Sequence, residues 1–97
     1  MLDKVKQMME MKKQMDQLKR DLEAITVECN DVRGIKIMIN GASNIQSIEL
    51  EEGLLKPENK KRLESDLLRS FNTAVLKSQK AAAQKMKNQM PQGFPGF

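Results

Sequence analysis

The apolar residues of this chain change their spacing twice, and that restricts the fold more than any single motif does. From Met1 to about Ala24 they recur at sevens. Met1, Met8, Met15 and Leu22 form one series, and Met11, Leu18 and Ile25 follow its last three members at plus three. Such 3-4 spacing draws a seam along one side of a helix, as in a short coiled coil. Lys6, Lys13 and Arg20, also seven apart, fall on the far side. No Gly or Pro interrupts the segment.

The period then drops to two. Ile25, Val27 and Cys29 alternate with Thr26, Glu28 and Asn30, and Ile35, Ile37 and Ile39 line one face of GIKIMIN. In IQSIELE, Ile48 and Leu50 oppose Ser47, Glu49 and Glu51. Alternation of this kind predicts three short antiparallel strands, roughly 24–30, 33–40 and 45–51. NDVRG and the Asn40-Gly41 step supply the turns between them.

After the loop EEGLLKPEN the spacing of fours and threes returns. Leu63, Leu67, Phe71, Ala74, Ser78 and Ala81 carry it. Pro57 is placed to open this helix, where proline is tolerated, and Pro91 to stop it. About thirty residues at 1.5 Å each make roughly 45 Å of helix. Strands of seven residues span only about 20–25 Å, so the distal half, KSQKAAAQKMKNQM, is expected to project beyond the sheet. The first helix is expected to project beside it. The reading is a single α-β-β-β-α domain over 1–90 with a flexible Pro/Gly tail over 91–97.

At 97 residues such a chain buries only a modest core. The methionine seam is longer than one small sheet can cover. A homodimer is therefore expected, since twofold association is the commonest way to bury such a remainder. The competing arrangement has the two helices of one chain cover each other's seams.

Charge is sorted along the chain. Residues 1–23 hold six basic and five acidic side chains, 24–58 hold three and six, and 59–90 hold eight and two. No Asp or Glu lies beyond Asp66. A merely solvated helix intersperses Glu with Lys, because opposite charges three or four apart support it. Here Lys77, Lys80, Lys85 and Lys87 have no acidic neighbour in sequence. Helix-dipole complementarity accounts for part of this; for the remainder, binding of a polyanion is favoured over plain solvation. Double-stranded DNA is the natural polyanion, with lysines neutralising phosphates and releasing counterions. Phosphate contacts carry little sequence information, so weak or shape-based specificity is expected. The candidate DNA-binding residues are Lys77, Lys80, Lys85 and Lys87, with Lys6, Lys13 and Arg20 secondary.

Other chemistries find little support. The chain has no His, Trp or Tyr, which removes the commonest acid–base catalyst. Glu49, Glu51 and Glu52 are read as a solvated outer sheet face, and Ser70 and Ser78 have no base to activate them. Cys29, the lone cysteine, is read as a small buried apolar residue in a reducing compartment. The expectation is no enzyme, no cofactor, no metal, no membrane span and no small-molecule substrate, in a cytoplasmic protein.

The order helix, three strands, long basic helix resembles the YbaB/EbfC family of bacterial nucleoid-associated proteins. The resemblance rests on MMEMKKQMDQLKRDLEAITVE, on IQSIELEEGLL, and on RLESDLLRSFNTAVLKSQKAAAQKM, with Leu63, Glu64, Leu67, Phe71, Asn72, Ala74 and Met86 in family-like places. The tail GFPGF fits too. Two segments depart from the family pattern: NDVRG replaces a Gly-rich turn, and Glu51-Glu52 stand where Asp-Pro is usual. The resemblance implies a homodimer with central sheets and helices standing out like tweezers. It further implies binding of double-stranded DNA, nucleoid localisation, and effects on DNA conformation, nucleoid organisation and gene expression. The rival expectation is a coiled-coil chaperone-like module that holds client proteins with apolar arm tips: Met1, Leu2, Met86 and Met90, helped by Phe94 and Phe97.

Overall fold

The computed structural model describes residues 2–89. Helix α1 (Leu2–Ala24) leads into strands β1 (Thr26–Cys29), β2 (Ile35–Asn40) and β3 (Ile45–Leu50). Two single 3₁₀ turns, Glu52–Leu54 and Pro57–Asn59, precede helix α2 (Lys60–Gln89). The strands form one antiparallel sheet in the order β1-β2-β3. The fold is therefore α+β, a helix, a three-stranded antiparallel meander and a long helix, as the periods require. Pro57 opens a 3₁₀ turn rather than the α-helix itself, which starts at Lys60. The tail and the stop at Pro91 lie outside the described residues.

Two glycines and a serine shape the turns. Gly34 closes the first with φ +90°, a conformation that suits only glycine well. In the second turn the positive φ falls on Ser43, at 65°, and not on Gly41. Gly41 is needed for a different reason: a Cβ there would meet the Leu22 carbonyl oxygen at 2.7 Å. Along β3 the register slips. Met38 faces Ser47 and Ile39 faces Ile45, leaving Gln46 as an extra residue in a bulge.

The core sits between α2 and the sheet. Cys29, Ile35, Ile37, Ile39 and Ala74 are buried, and Leu63, Leu67, Phe71 and Val75 pack around them. Ser70, Ala74 and Ser78, spaced by four, put small side chains on the inner stripe of α2 and let it approach closely. Burying one of these isoleucines contributes about 1.5–3 kcal/mol.

Coverage is uneven. α2 lies over β1 and β2. Ile48 shares the face of its partner Ile37, yet Ile45 and Ile48 of β3 stay exposed, as do Leu68 and Leu76 of α2. α1 touches the body only near its C-terminal end, where Leu18, Asp21 and Leu22 are half-buried. Met8, Met11 and Met15 are 62–70% exposed. Within one chain the two helices therefore do not cover each other's seams. The molecule measures 66 × 22 × 18 Å, far longer than its strands, because both helices run on past the sheet.

Candidate nucleic-acid interface

The cations fall into two groups, those held by carboxylates and those left open. Arg62 Nε lies 3.8 Å from Asp66. Arg69 Nε donates to Asp31 Oδ2 at 3.3 Å, where the Thr73 hydroxyl also donates. On the sheet face away from α2, Lys36 Nζ sits 3.2 Å from Glu28 and 3.7 Å from Glu49. Hydrogen bonds from Lys36 and Asn30, and the lysine's charge, hold the Glu28 carboxyl below its ordinary range. The Glu28 hydrogen bond and the Glu49 and Glu28 charges raise Lys36 in turn. So the sheet is acidic overall and internally compensated, and Glu49 belongs to this surface lattice.

The open group includes Arg33, Lys56, Lys60 and Lys61 on the body and the candidate cations on the arms. None of Lys77, Lys80, Lys85, Lys87, Lys6, Lys13 and Arg20 takes part in the ion pairs seen among the described residues. Lys77, Lys80 and Lys87 are exposed on α2. Lys80 and Lys87 are seven apart and share a stripe, with Lys77 one turn earlier beside it. Lys77 lies nearest the sheet and contributes slightly to the lowering of Glu28. Lys85 differs from the other three. It is half-buried and lies about 140° round the helix from Lys80. Closeness along the sequence conceals that division.

On α1, Lys6, Lys13 and Arg20 are exposed. They occupy the stripe opposite the methionine seam, as the seven-residue spacing requires. Arg20 Nη2 donates to Gln17 Oε1 at 3.2 Å, and Gln17 Nε2 donates to Asp21 at 2.9 Å. Each chain thus presents two separate basic stripes, one per helix.

Sequence reasoning missed what roots the arms. Ser78 Oγ is fully buried. It donates to the Asn40 carbonyl at 2.7 Å and accepts the Ser43 N–H at 3.1 Å. The signal was a serine on the inner stripe of α2, which burial without partners would penalise, although Ser70 on the same stripe has no such partner among the described residues. Among the rival's arm-tip residues, Met86 is half-buried; the side chains of Met1, Leu2, Met90, Phe94 and Phe97 lie outside the described residues.

Among the described residues no helix is long and apolar enough to cross a membrane. Residues 1–94 match the model of the YbaB/EbfC DNA-binding family. A nucleoid-associated protein of Pelotomaculum thermopropionicum is 34% identical over 83 residues, covering 84% of this chain and 79% of that protein. One from Bartonella tribocorum is 30% identical over 95 residues, 98% of this chain and 86% of the relative. Sequence order, fold and family match agree, and the chain belongs to the YbaB/EbfC DNA-binding family.

Proposed function

We propose that this protein is a homodimeric nucleoid-associated protein that binds double-stranded DNA through its basic helical arms. Binding is by phosphate neutralisation, with weak or shape-based specificity, and it affects DNA conformation, nucleoid organisation and gene expression. Its place is the nucleoid in the cytoplasm, and it has no catalytic role. The observation that carries this reading is the acid-free distal half of α2, whose Lys77, Lys80 and Lys87 are exposed and take no part in the ion pairs among the described residues. The family match and the relatives named as nucleoid-associated proteins support it.

The dimer is supported by the apolar surface one chain leaves open: Ile45, Ile48, Leu68 and Leu76 on the body, and Met8, Met11 and Met15 on α1. Sedimentation at micromolar concentration should give a dimer; monomer alone would remove it. Titration of a fluorescent duplex tests the DNA mechanism. If six or more phosphates are engaged, affinity falls on the order of a thousandfold between 50 and 200 mM salt. A flat salt response rules out phosphate neutralisation.

The bare methionine face gives the chaperone-like reading its one foothold, because flexible thioethers suit adaptable protein contacts. A gel shift run beside an aggregation-suppression assay separates the two. Client protection without a shift favours the chaperone.

A further inference from the structure

Both arms are rooted in the same five residues. The turn Asn40–Asn44 is braced from within: Asn40 Oδ1 accepts the N–H groups of Ala42 and Asn44, each at 3.0 Å, and the Asn40 N–H donates to the Asn44 carbonyl at 3.0 Å. The Ser43 N–H also reaches the Asn40 carbonyl, at 3.1 Å. Asn40 is 6% exposed and Gly41 is buried, while Ser43 and Asn44 face solvent, so the inner side of the turn is desolvated and its polar groups there are satisfied internally.

From this turn one set of bonds reaches each arm. The Gly41 N–H donates to the carbonyls of Leu22 at 2.9 Å and Ile25 at 3.1 Å, the last residues of α1 and its exit. Ser78 Oγ binds the Asn40 carbonyl, the Ser43 N–H and the Ser43 hydroxyl. Among the described side chains Ser78 is the last buried one of α2; the eleven residues that follow it in the helix carry Lys80, Lys85 and Lys87. Elsewhere α1 is held only by half-buried side chains, and residues 3–17 are exposed. Side-chain packing of that extent leaves a helix free to swing; directional hydrogen bonds at its root do not.

We propose that the Asn40–Asn44 turn, with Ser78, sets the angle at which the two basic arms leave the body, and that this angle determines how well the arms meet duplex DNA. Asn40, Gly41, Ser43 and Ser78 are then positioning residues: they touch no phosphate, yet control where the cations stand. The inference rests on the DNA-binding reading for its consequence, but the angle itself is measurable without DNA. Losing the node lowers apparent affinity by the inverse of the fraction of chains that keep a competent angle. The drop is about tenfold if one chain in ten does.

The test uses the full chain with spin labels on Gln14→Cys and Gln84→Cys, both exposed positions, on a Cys29→Ala background. Labelled chains are diluted with unlabelled ones, and the inter-arm distance is read by double electron resonance. Gly41→Ala forces α1 off its seat by driving a Cβ against the Leu22 carbonyl, and Ser78→Ala cuts the link to α2. Ser43→Ala removes only the hydroxyl–hydroxyl bond and serves where Ser78→Ala does not fold. Ser70→Ala is the control, equally buried on the same helix but without a bond to the turn.

The expected result is a shifted or broadened distance for Gly41→Ala and Ser78→Ala, with DNA affinity lowered about tenfold and the slope of log affinity against log salt unchanged. Ser70→Ala should move neither reading. A native distance distribution in both node variants overturns the proposal. So does an equal affinity loss in Ser70→Ala, which would make the effect one of general loosening. If the native chain binds no duplex while the node variants still shift the distance, the DNA reading fails and the arm-setting role alone stands.

Discussion

α2 meets the sheet through Ser70, Ala74 and Ser78, three small residues that let its backbone come close. α1 carries larger methionines at the equivalent spacing and meets almost nothing along its outer half. Both have the 3-4 apolar pattern, and the pattern alone does not distinguish them. The difference lies in the partner surface. A sheet with Ile35, Ile37 and Ile39 on one face supplies a flat apolar seat for one helix, and α2 takes it. Nothing comparable remains in the chain for α1. Periodicity therefore announces that a seam exists; the area available elsewhere decides whether one chain can bury it.

The contrast can be broken most directly by stability. Ile37→Ala, under α2, should cost about 2–5 kcal/mol in urea denaturation. Met11→Ala on α1 should change stability by no more than about 0.5 kcal/mol at concentrations where the chain is monomeric. A Met11→Ala cost that grows with protein concentration would show that a second copy covers the seam.

The basic stripes give the next largest effect. Replacing Lys77, Lys80, Lys85 and Lys87 by Gln should leave the fold intact and reduce the salt slope by about 0.9 for each phosphate no longer neutralised. The same change at Lys6, Lys13 and Arg20 should reduce it less. Equal reductions would make the two helices equal partners. Because Lys85 is turned away from Lys80 and half-buried, its single replacement should cost less affinity than that of Lys80 or Lys87.

Within α2 itself, two buried serines should behave oppositely. Ser70 Oγ has no hydrogen-bond partner among the described residues, so Ser70→Ala should stabilise by about 1 kcal/mol. Ser78→Ala should destabilise, since it takes a donor from the buried Asn40 carbonyl and one of the two acceptors of the Ser43 N–H. The melting temperatures of the two variants decide it.

The smallest effect lies on the sheet face away from α2. Glu28 is lowered by its hydrogen bond to Lys36. Its contribution is present above the ordinary carboxylate pKa and lost as pH falls through the lower folded value. Lys36 is raised, so its contribution holds below the ordinary lysine pKa and fades as pH rises through the higher folded one. Both groups are exposed and screened by salt. Lys36→Met should slightly flatten melting temperature against pH at the acid end, and leave DNA binding unchanged.

Much of this architecture was legible in the sequence because each element had an unbroken period. The expected strands 24–30, 33–40 and 45–51 enclose the observed 26–29, 35–40 and 45–50; the ends differ because turn hydrogen bonds claim the flanking residues. The Asn40-Gly41 step does form a turn, but for a reason other than its local propensity. Its glycine makes room for a carbonyl of α1, and the left-handed backbone falls on Ser43. No local pattern reveals such an approach, since it joins residues about twenty positions apart. The same holds for Ser78 and Asn40, and for the separation of Lys85 from the other distal lysines. Charge sorting was visible by composition; which cations stay open depended on tertiary pairs such as Arg69 with Asp31.

Cys29 lies 1% exposed beneath α2, its thiol 3.8 Å from the Ser70 carbonyl. The chain therefore carries its own stopwatch for helix detachment. A thiol reagent can consume that sulfur only during the moments when α2 lifts from the strands, so the speed of modification in native buffer reports how often the lid of the core opens.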